Sequence, residues 1–126
     1  MHENSDPAAA APEGEWPKDW MRAALGILVL RALEAGPSYG YAIISDLAAH
    51  GLGTVKGGTL YPLLTRYERA GYVTAEWRAG DGGPGRKYFS LTESGREALE
   101  RLRGSWRLFA SNADDYLTGT AGKDLG

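Results

Sequence analysis

The chain has 126 residues, 24% of them charged, with a formal net charge of −2 and no cysteine. That length suffices for one domain with a modest core, and the missing cysteines exclude disulfides and thiolate metal sites while fitting a reducing cytoplasm. No apolar run reaches the ~20 residues needed to span a bilayer, and the polar, Ala-rich, acidic start carries no basic-then-apolar signal, so a soluble cytoplasmic protein is expected.

The first expected unit is a disordered tail over residues 1–15, poor in large apolar side chains and interrupted by Pro7, Pro12 and Gly14. It holds four acids (Glu3, Asp6, Glu13, Glu15) and no Lys or Arg, so the remaining chain is net basic. From Lys56 to Arg107 ten Lys/Arg stand against six Asp/Glu, a local charge of +4. A basic segment of this kind bears on phosphate contact more directly than the whole-chain charge does.

A first helix is predicted from about Trp16 to Ala35, stopped by Gly36-Pro37, with Trp20, Ala24, Ile27, Leu28 and the Arg31 stem on one face. Its LGILVL block is apolar almost all round, which places this helix at the centre of the core. Ser38 is a good N-cap for a second helix, roughly Tyr39 to His50, with Gly51 past its end and Ile43, Ile44 and Leu47 facing inward.

The third helix lies in GGTLYPLLTRYERAGYV, Gly57 to Val73. Leu60, Leu63, Leu64 and Tyr67 recur at helical spacing and form an apolar stripe. Thr59, Pro62, Thr65, Arg66 and Arg69 form a polar, basic face opposite it. Pro62 sits in the first turn, where the N–H it lacks has no intrahelical partner, and Gly71 offers a left-handed C-cap. One half is built for burial and the other for hydrogen bonds and positive charge. A helix lying in a DNA groove needs both, although many surface helices share the pattern.

After Gly71 the period becomes two. Val73, Ala75 and Trp77 alternate with Thr74, Glu76 and Arg78, AGDGGPG makes a long flexible tip, and RKYFSL returns as a second strand. Two helices joined by a short turn, followed at once by a hairpin, describe a winged helix-turn-helix over residues 16–93. The fold class expected is mainly α with a small β-hairpin. Ser94-Gly95-Arg96-Glu97 has the form of a capping box opening a C-terminal helix over residues 94–117. There Leu99, Leu102, Trp106, Phe109, Ala113 and Tyr116 are spaced 3, 4, 3, 4, 3, the 3.5-residue repeat of a coiled-coil seam. This helix is expected to pair with its copy in a homodimer; the alternative is that it folds back on the first helix. Residues 118–126 are expected to fray.

These stretches resemble the PadR-like winged-helix transcriptional regulators, on YGYAI (Tyr39 to Ile43), GTLYPLLTRYERAGYV (Gly58 to Val73) and GRKYFSLTESG (Gly85 to Gly95). The resemblance spans roughly Pro17 to Leu117 and points to the short subfamily, in which one C-terminal helix makes the dimer interface. The run PKDWMRAALGILVL is similar to the first helix of small multidrug-sensing members, which carry a tryptophan where Trp106 stands. The resemblance implies a homodimeric repressor on a near-palindromic double-stranded DNA operator, often before its own gene or a linked transporter or stress gene; no cofactor is expected. On that footing Thr59, Tyr61, Pro62, Thr65 and Arg66 would face the major groove. Tyr39 and Lys56 would meet phosphates, and Arg86 and Lys87 on the wing would reach the backbone or minor groove. The seam (Leu99, Leu102, Trp106, Phe109, Ala113, Tyr116) would be the dimer interface, and a flat aromatic effector would sit between paired Trp106 rings, lined by Trp20 and Phe109.

Other signals fail. GDGGPGRK (Gly80 to Lys87) lacks the Lys-Ser/Thr ending of a phosphate loop and precedes a strand. His2 and His50 have no partners at metal-ligand or triad spacing, so neither a metal site nor an enzyme is expected. Two rivals remain: a winged-helix module for protein contacts, and a DNA-binding repressor with no ligand.

Overall fold

The computed structural model describes residues 15–80 and 82–119; residues 1–14 of the expected tail and residues 120–126 lie outside them. The elements run α1 (Lys18–Ala32), β1 (Ser38–Tyr39), α2 (Gly40–Ala49), α3 (Gly57–Arg69), β2 (Val73–Gly80), β3 (Gly83–Leu91) and α4 (Glu93–Thr118). Three antiparallel strands in the order β1-β3-β2 complete a winged helix. No helix among the described residues is long and apolar enough to cross a membrane, and no group of His, Asp or Glu there could hold a metal ion.

The apolar block of α1 serves two flanks. Leu25, Val29 and, just past the helix end, Leu33 join Ile43, Leu47, Leu60, Leu63, Leu64, Val73 and Phe89 in the main core. Leu30 turns the other way, against Ala98 and Leu99 of α4. The predicted face is therefore corrected: Trp20 is 63% exposed and Arg31 is exposed, while Ala24, Ile27 and Leu28 are only partly covered. A helix apolar all round gives no phase to its stripe, so its burial follows from what surrounds it.

Strand β1 is a correction of a different kind. Ser38, expected as a cap, pairs with Phe89, and Tyr39 pairs with Tyr88. Tyr39 then caps α2 with extended backbone and no side-chain bond. Two residues carry no period, so only their partner makes them a strand. The hairpin ladder also reaches further than predicted, from Val73↔Leu91 out to Gly80↔Gly83, so most of the glycine-rich tip is strand. Val73 and Phe89 face the core, whereas Trp77, on the same side, is 71% exposed because the hairpin projects past the helices.

The start of α4 is tied to the turn after α3. Thr92, not Ser94, is the N-cap: its Oγ1 accepts from the Gly95 N–H at 3.0 Å and donates to the Gly71 carbonyl at 2.6 Å. The Thr92 N–H donates to the Tyr72 carbonyl at 3.0 Å. Gly95 passes so close to that carbonyl that a Cβ there would overlap it. Arg103 then reaches Glu34 at 3.0 Å, and Glu34 is shared with Arg31 at 3.5 Å. Tyr67 bridges both core clusters, with its ring 5.6 Å from Tyr72. Burial pushes the Tyr67 phenol above its usual pKa of 10.0, against a smaller opposing effect of Arg66. α4 runs through Thr118 and ends on left-handed Gly119 (φ 81°), so the expected fraying does not begin at residue 118.

Candidate nucleic-acid interface

The division of α3 into two faces is realised. Leu60, Leu63 and Leu64 are buried, while Thr59, Tyr61, Pro62, Thr65, Arg66 and Arg69 are exposed. The helix enters through Lys56, whose extended backbone provides the N-cap without a side-chain bond. Tyr61 is 47% exposed, and its ring lies over Gly40 and Gly57, so a Cβ at Gly40 would run into it. It thus packs across the junction of α2 and α3, and only part of its ring is open for contact.

A cleft of about 470 Å³ opens beside this helix end, between the start of α1, the α2–α3 turn and Thr59. Lys18 and Arg22 line it together with Lys56, adding two cations from α1 that sequence order keeps more than thirty residues away. Arg22 is paired with Asp19 at 2.8 Å. Trp16 anchors this end of α1 through an indole N–H bond to the Gly51 carbonyl at 2.8 Å.

On the wing the two predicted contacts diverge, because neighbours in a strand point to opposite faces. Lys87 turns toward α3 and meets Glu68 at 3.8 Å. Arg86 faces outward and lies over the Tyr39 ring at 4.4 Å. Its cross-strand partner Arg78, which sequence reasoning missed, lies over Tyr88 at 4.3 Å, and the two tyrosines meet edge-to-face at 5.1 Å. Alternation alone marked Arg78 as outward. Its neighbour across the sheet depended on register.

The seam of α4 is divided as well. Leu99 is 1% exposed, already buried against Leu30 of its own chain, which removes it from any surface open to a second copy. Folding back on α1 thus accounts for the first turns of α4. Beyond Arg103 the stripe is open: Trp106 and Tyr116 are exposed, and Phe109 is 65% exposed with its ring 6.4 Å from Trp106. Leu102 is exposed and Ala113 half-buried. Trp20 is not brought to Trp106 within the chain. It stacks on Trp16 at 6.3 Å, about 15 Å along α1 from Leu30, where α4 crosses.

Comparison with known proteins agrees with this arrangement. The profile of the Transcriptional regulator PadR-like family matches residues 29–101. Transcriptional regulator Rv3488 of Mycobacterium tuberculosis is 34% identical over 86 residues, 68% of this chain and 78% of that protein. The crystal structure of a PadR family transcriptional regulator from Eggerthella lenta superposes with a TM-score of 0.71 at 34% identity, covering 79% of this chain and 86% of the other. A PadR-like transcriptional regulator from Bacillus cereus gives 0.71 at 29% identity, covering 79% and 97%. A matched region this long, on a winged helix with an exposed polar third helix, makes the chain a member of the PadR-like family of transcriptional regulators, DNA-binding regulators and not enzymes.

Proposed function

We propose that the protein is a homodimeric repressor that binds a near-palindromic operator, including one before its own gene. The observation that carries this reading is α3: three leucines sunk in the core hold a face of Thr59, Pro62, Thr65 and Arg66 open to solvent. Those hydroxyls and the guanidinium fork suit base edges and phosphates in a major groove. Lys56, with Lys18 and Arg22 beside it, suits the flanking phosphates. The open stripe from Leu102 to Tyr116 supports pairing of α4 with a second copy, since a row of exposed aromatics on a helix of 26 residues is costly in water. A two-fold dimer would present two such α3 helices to half-sites one turn (~34 Å) apart.

We further propose that a planar aromatic effector sits between the Trp106 rings of the two protomers, with Phe109 beside them. Trp20 could line that site only from the second copy. Bound there, the ligand would change the angle between the two DNA-reading helices and shift the population away from the operator-binding form.

The test is fluorescence anisotropy of labelled DNA from upstream of the gene, titrated at several salt concentrations against scrambled DNA. With ~6–10 phosphate contacts, affinity falls by roughly 10³–10⁵ between 50 and 200 mM salt. Equal, weak binding to both DNAs refutes autoregulation. Flat salt dependence with no sequence preference refutes DNA binding and leaves the protein-contact module.

A further inference from the structure

The cleft between the start of α1 and the α2–α3 turn is more than a row of cations beside α3. Lys18, Met21, Arg22 and Leu25 all line it, at the i, i+3, i+4, i+7 spacing that puts four side chains on one face of a helix. The facing wall repeats the mixture with Leu52, Val55, Lys56 and Thr59. Leu25 and Val55 are 5% and 7% exposed and belong to the main core, and Met21 and Leu52 pack against it half-buried. The cleft thus has an apolar floor, an edge of the core left uncovered, beneath a rim of cations. The bond from the Trp16 indole to the Gly51 carbonyl at 2.8 Å ties the two walls together. Arg22 is paired with Asp19, whereas among the described residues no carboxylate lies within ion-pair distance of Lys18 or Lys56. Among the described residues Glu15 is the one acid on the lining, which leaves it net positive.

We infer that this cleft binds a small organic anion, a carboxylate carried on an apolar body, and that the bound molecule displaces DNA. The displacement rests on the DNA-binding reading above; the binding itself does not. A volume of about 470 Å³ falls within the range of ~300–1,000 Å³ usual for small-molecule sites. DNA phosphates satisfy Lys18 and Lys56 at the rim but cover none of the floor, and an inorganic anion leaves the floor equally wet. A neutral apolar molecule covers the floor and gains nothing from the cations. A molecule with both parts uses the whole cleft: its body covers Met21, Leu25, Leu52 and Val55, and its carboxylate meets the two lysines in charge-assisted bonds. Lys56 caps α3 and Thr59 lies in its first turn, so both belong to the end of the helix assigned to DNA. A ligand on them takes both from the operator and sets a negative charge where a phosphate would lie. Ligand and DNA are then mutually exclusive, each weakening the other to the same degree. All of the lining comes from one chain and none of it from α4, so the site is separate from the Trp106 stripe.

The test is calorimetric titration of the full chain with naphthoate and octanoate, which separate a flat body from a flexible one, against the matching alcohols and acetate. The variants are Lys18→Ala/Lys56→Ala, which strips the rim, and Met21→Trp, which fills the cleft from α1, each first checked for cooperative unfolding. At least one of the two carboxylates should bind the wild type once per chain, about tenfold or more tighter than its alcohol, while acetate gives no heat. The lysine variant should bind that carboxylate no better than the alcohol, and Met21→Trp should bind neither. Absence of binding by both carboxylates overturns the inference, as does an affinity that the alcohol matches or that either variant retains. In anisotropy with operator DNA, the carboxylate at about nine times its Kd should raise the apparent DNA Kd about tenfold for the wild type and leave Met21→Trp unaffected. DNA binding that the bound carboxylate does not change overturns the displacement. If the wild type takes the carboxylate into the cleft yet binds no DNA, the DNA-binding reading fails and the cleft assignment stands, a result distinct from DNA binding that the ligand leaves untouched.

Discussion

Two glycines on α4 should respond to the same substitution with opposite signs. Gly104 has nothing within 4 Å of an added Cβ apart from its own helix, and it faces away from the Leu102–Trp106–Phe109 stripe. Gly104→Ala should therefore stabilise the fold by about 0.8–1 kcal/mol, the helix-propensity difference. Gly95 has the same propensity to gain. There, however, the new methyl overlaps the Tyr72 carbonyl and lies 2.9 Å from a Leu91 methyl. The carbonyl cannot swing aside, because it accepts the Thr92 N–H at 3.0 Å, and Thr92 Oγ1 is bonded to Gly71 and Gly95. Either α4 lifts from the turn after α3, opening the contact of Leu99 with Leu30, or the turn deforms and strains the cap. Overpacking of this kind costs about 1–3 kcal/mol and loss of a threonine cap about 0.5–2, so with both incurred Gly95→Ala should be destabilising by roughly 0.5–4 kcal/mol after the propensity gain of about 0.8–1 is subtracted. Urea unfolding of both variants at one protomer concentration measures the pair, the concentration being fixed because association adds to apparent stability. If Gly95→Ala is as stabilising as Gly104→Ala, the close crossing of α4 over the Tyr72 carbonyl is wrong.

Phe109→Glu places a charge on the open stripe of α4 and should give the mass of one chain in light scattering where the wild type gives two; an unchanged dimer refutes the α4 interface. Arg66→Ala should weaken binding to selected DNA by about 1–3 kcal/mol and relax preference at one base position, whereas a uniform loss on all sequences would assign Arg66 to a phosphate. Tyr67 links pH to stability. Burial raises its folded pKa above the ordinary 10.0, so the folded chain binds the proton more tightly. This contribution is whole below pH 10 and falls as the pH rises through the folded value. As the pH rises above 10.0 the wild type should lose more stability than Tyr67→Phe, and parallel losses would refute the assignment.

What the sequence determined by itself was local and periodic. The stripe of Leu60, Leu63 and Leu64, the alternation from Val73 to Trp77 and the glycine stop at Gly71 each follow from spacing within one element. Together they were enough for the order of elements and the winged-helix class. The face of α3 that stays in solvent followed from the same spacing, since whatever is not buried on a helix this short is exposed. The tertiary structure decided what depends on a distant partner. Ser38-Tyr39 became a strand because β3 lies beside it. Thr92 displaced Ser94 as the cap because the Gly71 carbonyl accepts its hydroxyl while Gly95 donates to it. Leu99 left the seam because Leu30 reached it first. The wing arginines were separated from Lys87 and joined to Tyr39 and Tyr88 by a register no single strand encodes. Periodicity reports which side of an element is apolar, and only the packed chain determines which neighbour meets that side.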